Sequence, residues 1–263
     1  MNTVESSEVL VEVDAGIGFI TFNRPYKHNA FTIAMLETMD AQLTAWSRDA
    51  SIRVVVLRAS GERSFSTGAD LSEMVGSDPM AVKASNRMWV DVFQRIESMP
   101  QPVIASVQGF CIAGGTELTL ACDLIVAADV AMFGLTEINV GVVPGAGACV
   151  RLPRWVSPAI AKEILMLGAM IPAPEAQRLG LVNRVVPFAD LATATRSLAD
   201  DLAGRAPLAL ALAKRAVNDA ADLDLRKGIE YVLAEFALLF GTADQVEGMS
   251  AFLEKRTPHF TGR

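Results

Sequence analysis

The chain has 263 residues, 51% hydrophobic and 20% charged, enough to enclose a full core as one domain or as one domain with an appendage. A formal charge of -7 argues against a reader of nucleic-acid backbone, which needs clustered basic residues. No apolar run approaches the roughly 18 residues of a membrane span, and the opening MNTVESSEVLVEVD carries acids where a leader carries bases, so a cytoplasmic protein with no membrane partner is expected.

In chain order, β-branched runs at 9–13, 17–22, 54–57, 103–107 and 124–128 predict short strands. Between them, residues 32–47 place Ala34, Met35, Met39 and Leu43 at helical spacing, and residues 80–96 do the same with Met88, Val92, Phe93 and Ile96. A strand, strand, helix pattern recurs, which predicts a mixed α/β core over residues 1–190. From Leu191 to the end the chain becomes Ala- and Leu-rich helix without a convincing strand, a second region at 191–263. Its apolar residues lie on more than one face, as with Leu208, Leu210 and Leu212, then Val232, Leu233, Phe236 and Phe240. They pack either within the chain or against another subunit. Cys111, Cys122 and Cys149 are too widely spaced for a CxxC element and lie in apolar runs, so all three read as core thiols in a reducing compartment.

Two loops have the makings of a site. In SFSTGADLSEM, Asp70 can cap a helix starting at Leu71, and Gly68 lets the chain turn so that the amides of Ala69 to Ser72 point outward. In SVQGFCIAGGTELTLACDL, Gly114 offers an unhindered N–H at a helix start, while Gly115 is better explained by close helix-to-sheet packing. Two amides from separate loops, Ala69 and Gly114, are what an oxyanion hole requires. Glu117, one turn into that helix, is by itself a solvated or ion-paired glutamate. Glu137 stands between the apolar VAMFGL and the loop VGVVPGAG, where burial and a nearby like charge both raise a carboxyl pKa. Two such carboxyls on one ligand can divide acid and base duties. GAGACV lacks the spacing of a dinucleotide-binding GxGxxG.

Taken together, GADLSEM, GFCIAGGTELTLACDLIVA, TEINVGVVPGAG, RLGLVNRVVP and EGMSAFLEKRTPHF resemble the crotonase (enoyl-CoA hydratase/isomerase) superfamily from about Gly18 to the C-terminus. The resemblance implies a spiral of repeated ββα units with a C-terminal helical region that forms trimers, often paired into hexamers. It implies that Ala69 and Gly114 hold a thioester carbonyl, that Glu137 exchanges the proton at C2, and that Glu117 activates water for C3. Ala69, Asp70, Leu71 and Ser72 would line the CoA site, and Gly145 would contact the reacting region. Arg24 and Lys27 in NRPYKHNAF match a CoA-contacting loop, and Phe252 and Lys255 in AFLEKR match positions near the nucleotide end. The implied reaction is reversible syn addition of water to a trans-2-enoyl-CoA, with no metal or redox cofactor and CoA entering as part of the substrate.

Thr136 replaces a more usual proline and Ala148-Cys149 a more usual Gly-Thr, departures that flank the acyl site. The stretch containing Met74, Met88, Trp89 and Phe93 is expected to shape the acyl pocket. The alternatives within the resemblance are double-bond isomerisation, a carnitinyl-CoA-type dehydration, or an acyl-CoA-binding member without turnover, RNA-binding relatives included.

Overall fold

The computed structural model describes residues 7–263; the first six, on which part of the leader reading rests, lie outside the described residues. Strands β1 (Val9–Asp14) and β2 (Ile17–Phe22) form an antiparallel hairpin that leads into helix α1 (Ile33–Trp46). The next strand pair, β3 (Val54–Ala59) and β4 (Ser64–Ser66), is followed by α2 (Pro79–Ser98); the third, β5 (Val103–Val107) and β6 (Phe110–Ile112), by α3 (Gly114–Ala121). A fourth pair, β7 (Leu124–Ala128) and β8 (Met132–Gly134), precedes α4 (Ala148–Trp155) and α5 (Pro158–Leu167). The core is completed by β9 (Ile171–Pro172), α6 (Ala173–Arg178), β10 (Arg184–Val186) and α7 (Leu191–Ala203). Helices α8 (Pro207–Ala220), α9 (Leu225–Leu239) and α10 (Ala243–Glu254) end the chain.

The β1–β2 hairpin lies wholly in one sheet, and the next three strand pairs split between two sheets. The first strands build a six-stranded sheet in the order β1-β2-β3-β5-β7-β10, parallel except at the β1–β2 hairpin. The second strands build a smaller sheet, β4-β6-β8-β9, in which only the β8–β9 pair is antiparallel. Repeating ββα therefore advances two sheets in parallel, the spiral that the family resemblance implies, where the strand, strand, helix pattern by itself predicted only a mixed α/β core.

The inner strands β2, β3, β5 and β7 of the large sheet are covered on both faces, which explains why they read as continuous apolar runs rather than alternating ones. Along β3, Val54 and Val56 pack towards Leu191, Leu198 and Ala199 of α7, while Val55 and Leu57 join the main core with Met39, Leu43 and Phe93. The expected boundary at 190/191 thus falls ahead of a helix that belongs with the core, and the change in packing comes after Ala203. Strands β4, β6, β8, β9 and β10 have no more than three residues each, too short for a periodicity to announce them.

Two glycines hold the layers at their spacing. A Cβ on Gly18 would lie 2.8 Å from the Trp46 ring, and one on Gly115 would lie 2.6 Å from the Ser66 carbonyl oxygen, so α3 sits directly on β4. This is the packing role read for Gly115 from the sequence. Cys111 and Cys122 are buried as expected; Cys149 is not, because it occupies the outer side of the first turn of α4, and the reading of three core thiols is corrected to two. No helix among the described residues is long and apolar enough to cross a membrane.

Gly115→Ala is expected to destabilise the fold by about 1–3 kcal/mol through overpacking against the Ser66 backbone, read as a lower denaturation midpoint. Gly204→Ala, whose added Cβ finds its nearest neighbour at 3.5 Å, should leave the midpoint nearly unchanged.

Candidate active site

The loop after β4 is shaped by hydrogen bonds that begin at Asn29. This residue is 1% exposed, and its amide donates to the carbonyls of Ser60 and Ser64 at 3.0 and 2.8 Å while its Oδ1 accepts from the Arg24 N–H. Ser66 Oγ bonds the Asn29 carbonyl and accepts the Gly68 N–H. Phe31 then pairs with Ala69 as a single parallel bridge: its N–H donates to Gly68 O at 2.8 Å and its carbonyl accepts from Asp70 N at 2.9 Å. In that register the N–H of Ala69 itself faces away from Phe31, and among the described residues it has no acceptor.

The second loop meets the first backbone to backbone. Gly68 turns at φ +83°, where a side chain is disfavoured, and an added Cβ would come within 2.8 Å of Gly114 N. Ala113 holds φ 50°, ψ -129°, a conformation that costs a non-glycine residue about 1–3 kcal/mol, and its N–H is anchored on Gly134 O at 2.8 Å. The strain aims Gly114, the first residue of α3, so that its N–H stays unpaired beside that of Ala69. Trp89 covers the other side, its ring 2.8 Å from where a Gly114 Cβ would stand. Two unpaired amides from separate loops, one of them at a helix start, thus line the same cavity, a donor pair of the kind that suits an anionic oxygen.

Glu117 is reached next along α3. It is 4% exposed, and its Oε1 accepts the N–H groups of Ala146 and Ala148 at 3.0 and 2.9 Å. Ala148 opens α4, so the carboxyl sits on that helix's N-terminus, which favours its charged form. Burial works the other way and is the larger effect, pushing its pKa up; the two amides and the Arg151 guanidinium restrain the rise.

Glu137 opens the 3-10 turn Glu137–Val140, which Gly141 ends in the left-handed region. Its Oε2 is buried without a hydrogen-bond partner. Burial, with the Glu117 charge adding to it, lifts this carboxyl to about 7. One acid is thus fastened to backbone amides, and the other is poised to hold or release a proton near neutrality.

Both glutamates and both free amides line one cavity of about 500 Å³. Lys27, Asp70, Leu71 and Gly145 line it as well, and a Cβ on Gly145 would collide with the Asn86 amide. Thr136, read as a departure beside the acyl site, also lines it. Met74 and Trp89 do so as expected of their stretch, whereas Phe93 is fully buried in the core and Met88 packs against it.

Other expected residues lie elsewhere. Ser72 stands behind Asp70, donating its N–H and its hydroxyl to Oδ1 at 3.1 and 2.6 Å, which with Arg24 holds the Asp70 carboxyl well below the usual range. Arg24 is committed within the fold: its Nη1 bonds Asp70 Oδ2 at 2.8 Å and its Nε lies 2.9 Å from Glu8 Oε1. Phe252, 83% exposed, and Lys255, at the left-handed end of α10, are outside the cavity wall.

Four contributors escaped sequence reasoning: Asn29, the amide of Ala146, the amide of Ala148, and Arg151. The last carried a signal, since a cation in the first turn of a helix opposes the helix dipole and needs another reason to be there.

Known proteins resemble this chain over nearly its whole length. Residues 12–263 match the family model described as enoyl-CoA hydratase/isomerase. The crotonyl-CoA hydratase of Syntrophomonas wolfei is 37% identical over 97% of this chain and 98% of its own length. The 2,3-dehydroadipyl-CoA hydratase of Escherichia coli is 38% identical over 98% of this chain and its full length, 100%. The crystal structure of enoyl-CoA hydratase from Bacillus anthracis superposes with a TM-score of 0.95 at 37% identity, covering 98% of this chain and 100% of that one.

Carbon-13 NMR of the glutamate carboxyls is expected to find Glu137 half-ionised near pH 7 and to see that midpoint fall in Glu117→Gln, because a like charge is removed. Its folded pKa lies above the ordinary 4.5, so its contribution to stability is complete below about 4.5 and is lost as pH rises through about 7.

Proposed function

Because the chain belongs to the enoyl-CoA hydratase/isomerase family, we propose that it catalyses reversible syn addition of water to a trans-2-enoyl-CoA, giving a 3-hydroxyacyl-CoA. The observation that carries this reading is the convergence of the buried Glu117 carboxyl, the half-buried Glu137 carboxyl and two unpaired amides on one cavity. The thioester oxygen is received by the N–H groups of Ala69 and Gly114, which stabilise the enolate-like charge that develops when C3 is attacked. Glu117, ionised on its two amides, takes a proton from water as the C–O bond forms at C3. Glu137, with a pKa of about 7, donates to C2 from the same side in its protonated form.

The reaction calls for no metal or redox cofactor, since amides polarise the carbonyl and carboxyls move both protons. CoA is part of the substrate. Asp70, Leu71 and Gly145 flank it in the cavity, with Lys27 at the mouth offering a cation to a phosphate. Arg24 acts behind them by holding Asp70 and with it the loop that presents Ala69.

The C-terminal helices support an oligomer, in this reading a homotrimer or a homohexamer. Leu233, Phe236, Phe240, Val246 and Met249 are each at least half exposed, an apolar surface that water does not favour. Phe252 and Lys255 share this exposed region. A cytoplasmic protein with no nucleic-acid or membrane partner fits the net charge of -7.

Loss of the conjugated thioester absorbance of crotonyl-CoA and longer enoyl-CoAs measures the activity. Glu117→Gln and Glu137→Gln should each lower it by about 10²–10⁴-fold, and retention of full activity in both would remove the mechanism. Exchange of the C2 proton without hydration in the wild type would instead favour the isomerase reaction. Sedimentation should give the mass of three or six chains, and Phe236→Glu should shift it towards the single chain.

A further inference from the structure

Arg151, on the first turn of α4, does not line the cavity, yet it is tied to what holds Glu117. Its Nε and Nη2 bond both carboxylate oxygens of Glu97 on α2 at 2.6 and 2.7 Å. Its Nη1 donates to Ala146 O at 2.8 Å, the carbonyl of a residue whose N–H holds Glu117. The Arg151 N–H donates to Gly147 O at 2.9 Å, and Gly147, at φ +114°, has the guanidinium where a Cβ would stand. The Phe93 ring lies 5.7 Å from the guanidinium carbon, so the group is clamped from α2 as well as from its own turn.

We propose that Arg151, oriented by Glu97, is a positioning residue that holds the turn at 144–148 in the conformation that presents the Ala146 and Ala148 amides to Glu117. The bidentate pair fixes the plane of the guanidinium, leaving Nη1 aimed at the Ala146 carbonyl. That hydrogen bond sets the orientation of the peptides on either side of Ala146, and thereby where the water-activating carboxylate stands relative to the two amides of the oxyanion pocket. The charged and titratable groups whose fields reach Glu117 are Glu137 from the 3-10 turn, the Arg151 cation and the outward-facing Cys149 thiol from α4, and the α4 N-terminus itself. Arg151 is the one cation among them. The inference rests on the hydratase reading for its kinetic consequence, but the positioning of Glu117 is measurable without turnover.

The test compares the wild type with Arg151→Gln, Arg151→Lys and Glu97→Gln in the full-length protein, following crotonyl-CoA hydration and, separately, the Glu117 carboxyl by carbon-13 NMR. In Arg151→Gln, kcat should fall about 10–100-fold, the scale expected of a misplaced catalytic group, with KM little changed. The Glu117 midpoint and the acid limb of kcat should both move to higher pH, because a cation that favours the carboxylate has gone. Arg151→Lys should restore the midpoint but only part of kcat, since an ammonium keeps the charge and loses the planar fork. Glu97→Gln should lower kcat less than Arg151→Gln, and if Arg151→Gln does not fold, Glu97→Gln carries the kinetic comparison and Arg151→Lys the midpoint.

An unchanged kcat in the folded variants, or a lower kcat with the Glu117 midpoint unmoved in Arg151→Gln, would overturn the positioning role. A wild type that hydrates no enoyl-CoA would overturn the functional reading instead; the NMR midpoint would then decide the positioning role by itself, supporting it if moved and overturning it if not.

Discussion

The contact between the backbones of Gly68 and Gly114 is the constraint around which the rest of the site is arranged. Two chain segments that come from different ββα units approach until Gly114 N lies 2.8 Å from where a Gly68 side chain would begin. No other residue permits that approach at φ +83°. Everything nearby serves to hold it. Phe31 pairs with the Ala69 loop, Gly115 seats α3 on β4, and Trp89 closes the far side. The product is a pair of unpaired amides from separate loops that line one cavity and are held there by the fold itself.

The two carboxyls are placed differently by the same architecture. Glu117 projects from a fully buried helix onto the start of another, so its burial is answered by amides, a helix N-terminus and a guanidinium. Glu137 projects from a short turn with one oxygen buried and unanswered, so its burial appears as a pKa near 7. Identical side chains are thereby given unequal proton affinities by their partners, the condition under which two carboxyls can divide acid and base duties.

How much of this was legible beforehand depended on chain length and on the range of the interaction. Ile17–Phe22, Val103–Val107 and Leu124–Ala128 begin and end where their apolar runs do, because a strand buried on both faces is written as an unbroken run. Ser64–Ser66 and Met132–Gly134 are too short to carry a pattern, and they are strands because their neighbours in the small sheet make them so. Cys149 sits in the same kind of apolar company as Cys111, yet it faces outward, since which side of α4 meets the core depends on packing across elements. Arg24 was legible as a cation near the cavity loop, but its pairing with Asp70, 46 positions away, is a tertiary fact.

By itself the sequence determined the repeat of strand, strand, helix, the glycines at the two loops and the presence of Glu117 and Glu137 in one chain. These are local matters of backbone freedom, hydrophobic period and residue type. Only the tertiary structure decided that Ala69 and Gly114 point their amides into one space, that Glu117 is fastened to Ala146 and Ala148, and that Arg151 reaches from Glu97 to that turn. Such relations join residues separated by 29, 31 and 54 positions. Their geometry is set by how sheets and helices stack, which no stretch of sequence encodes by its own spacing.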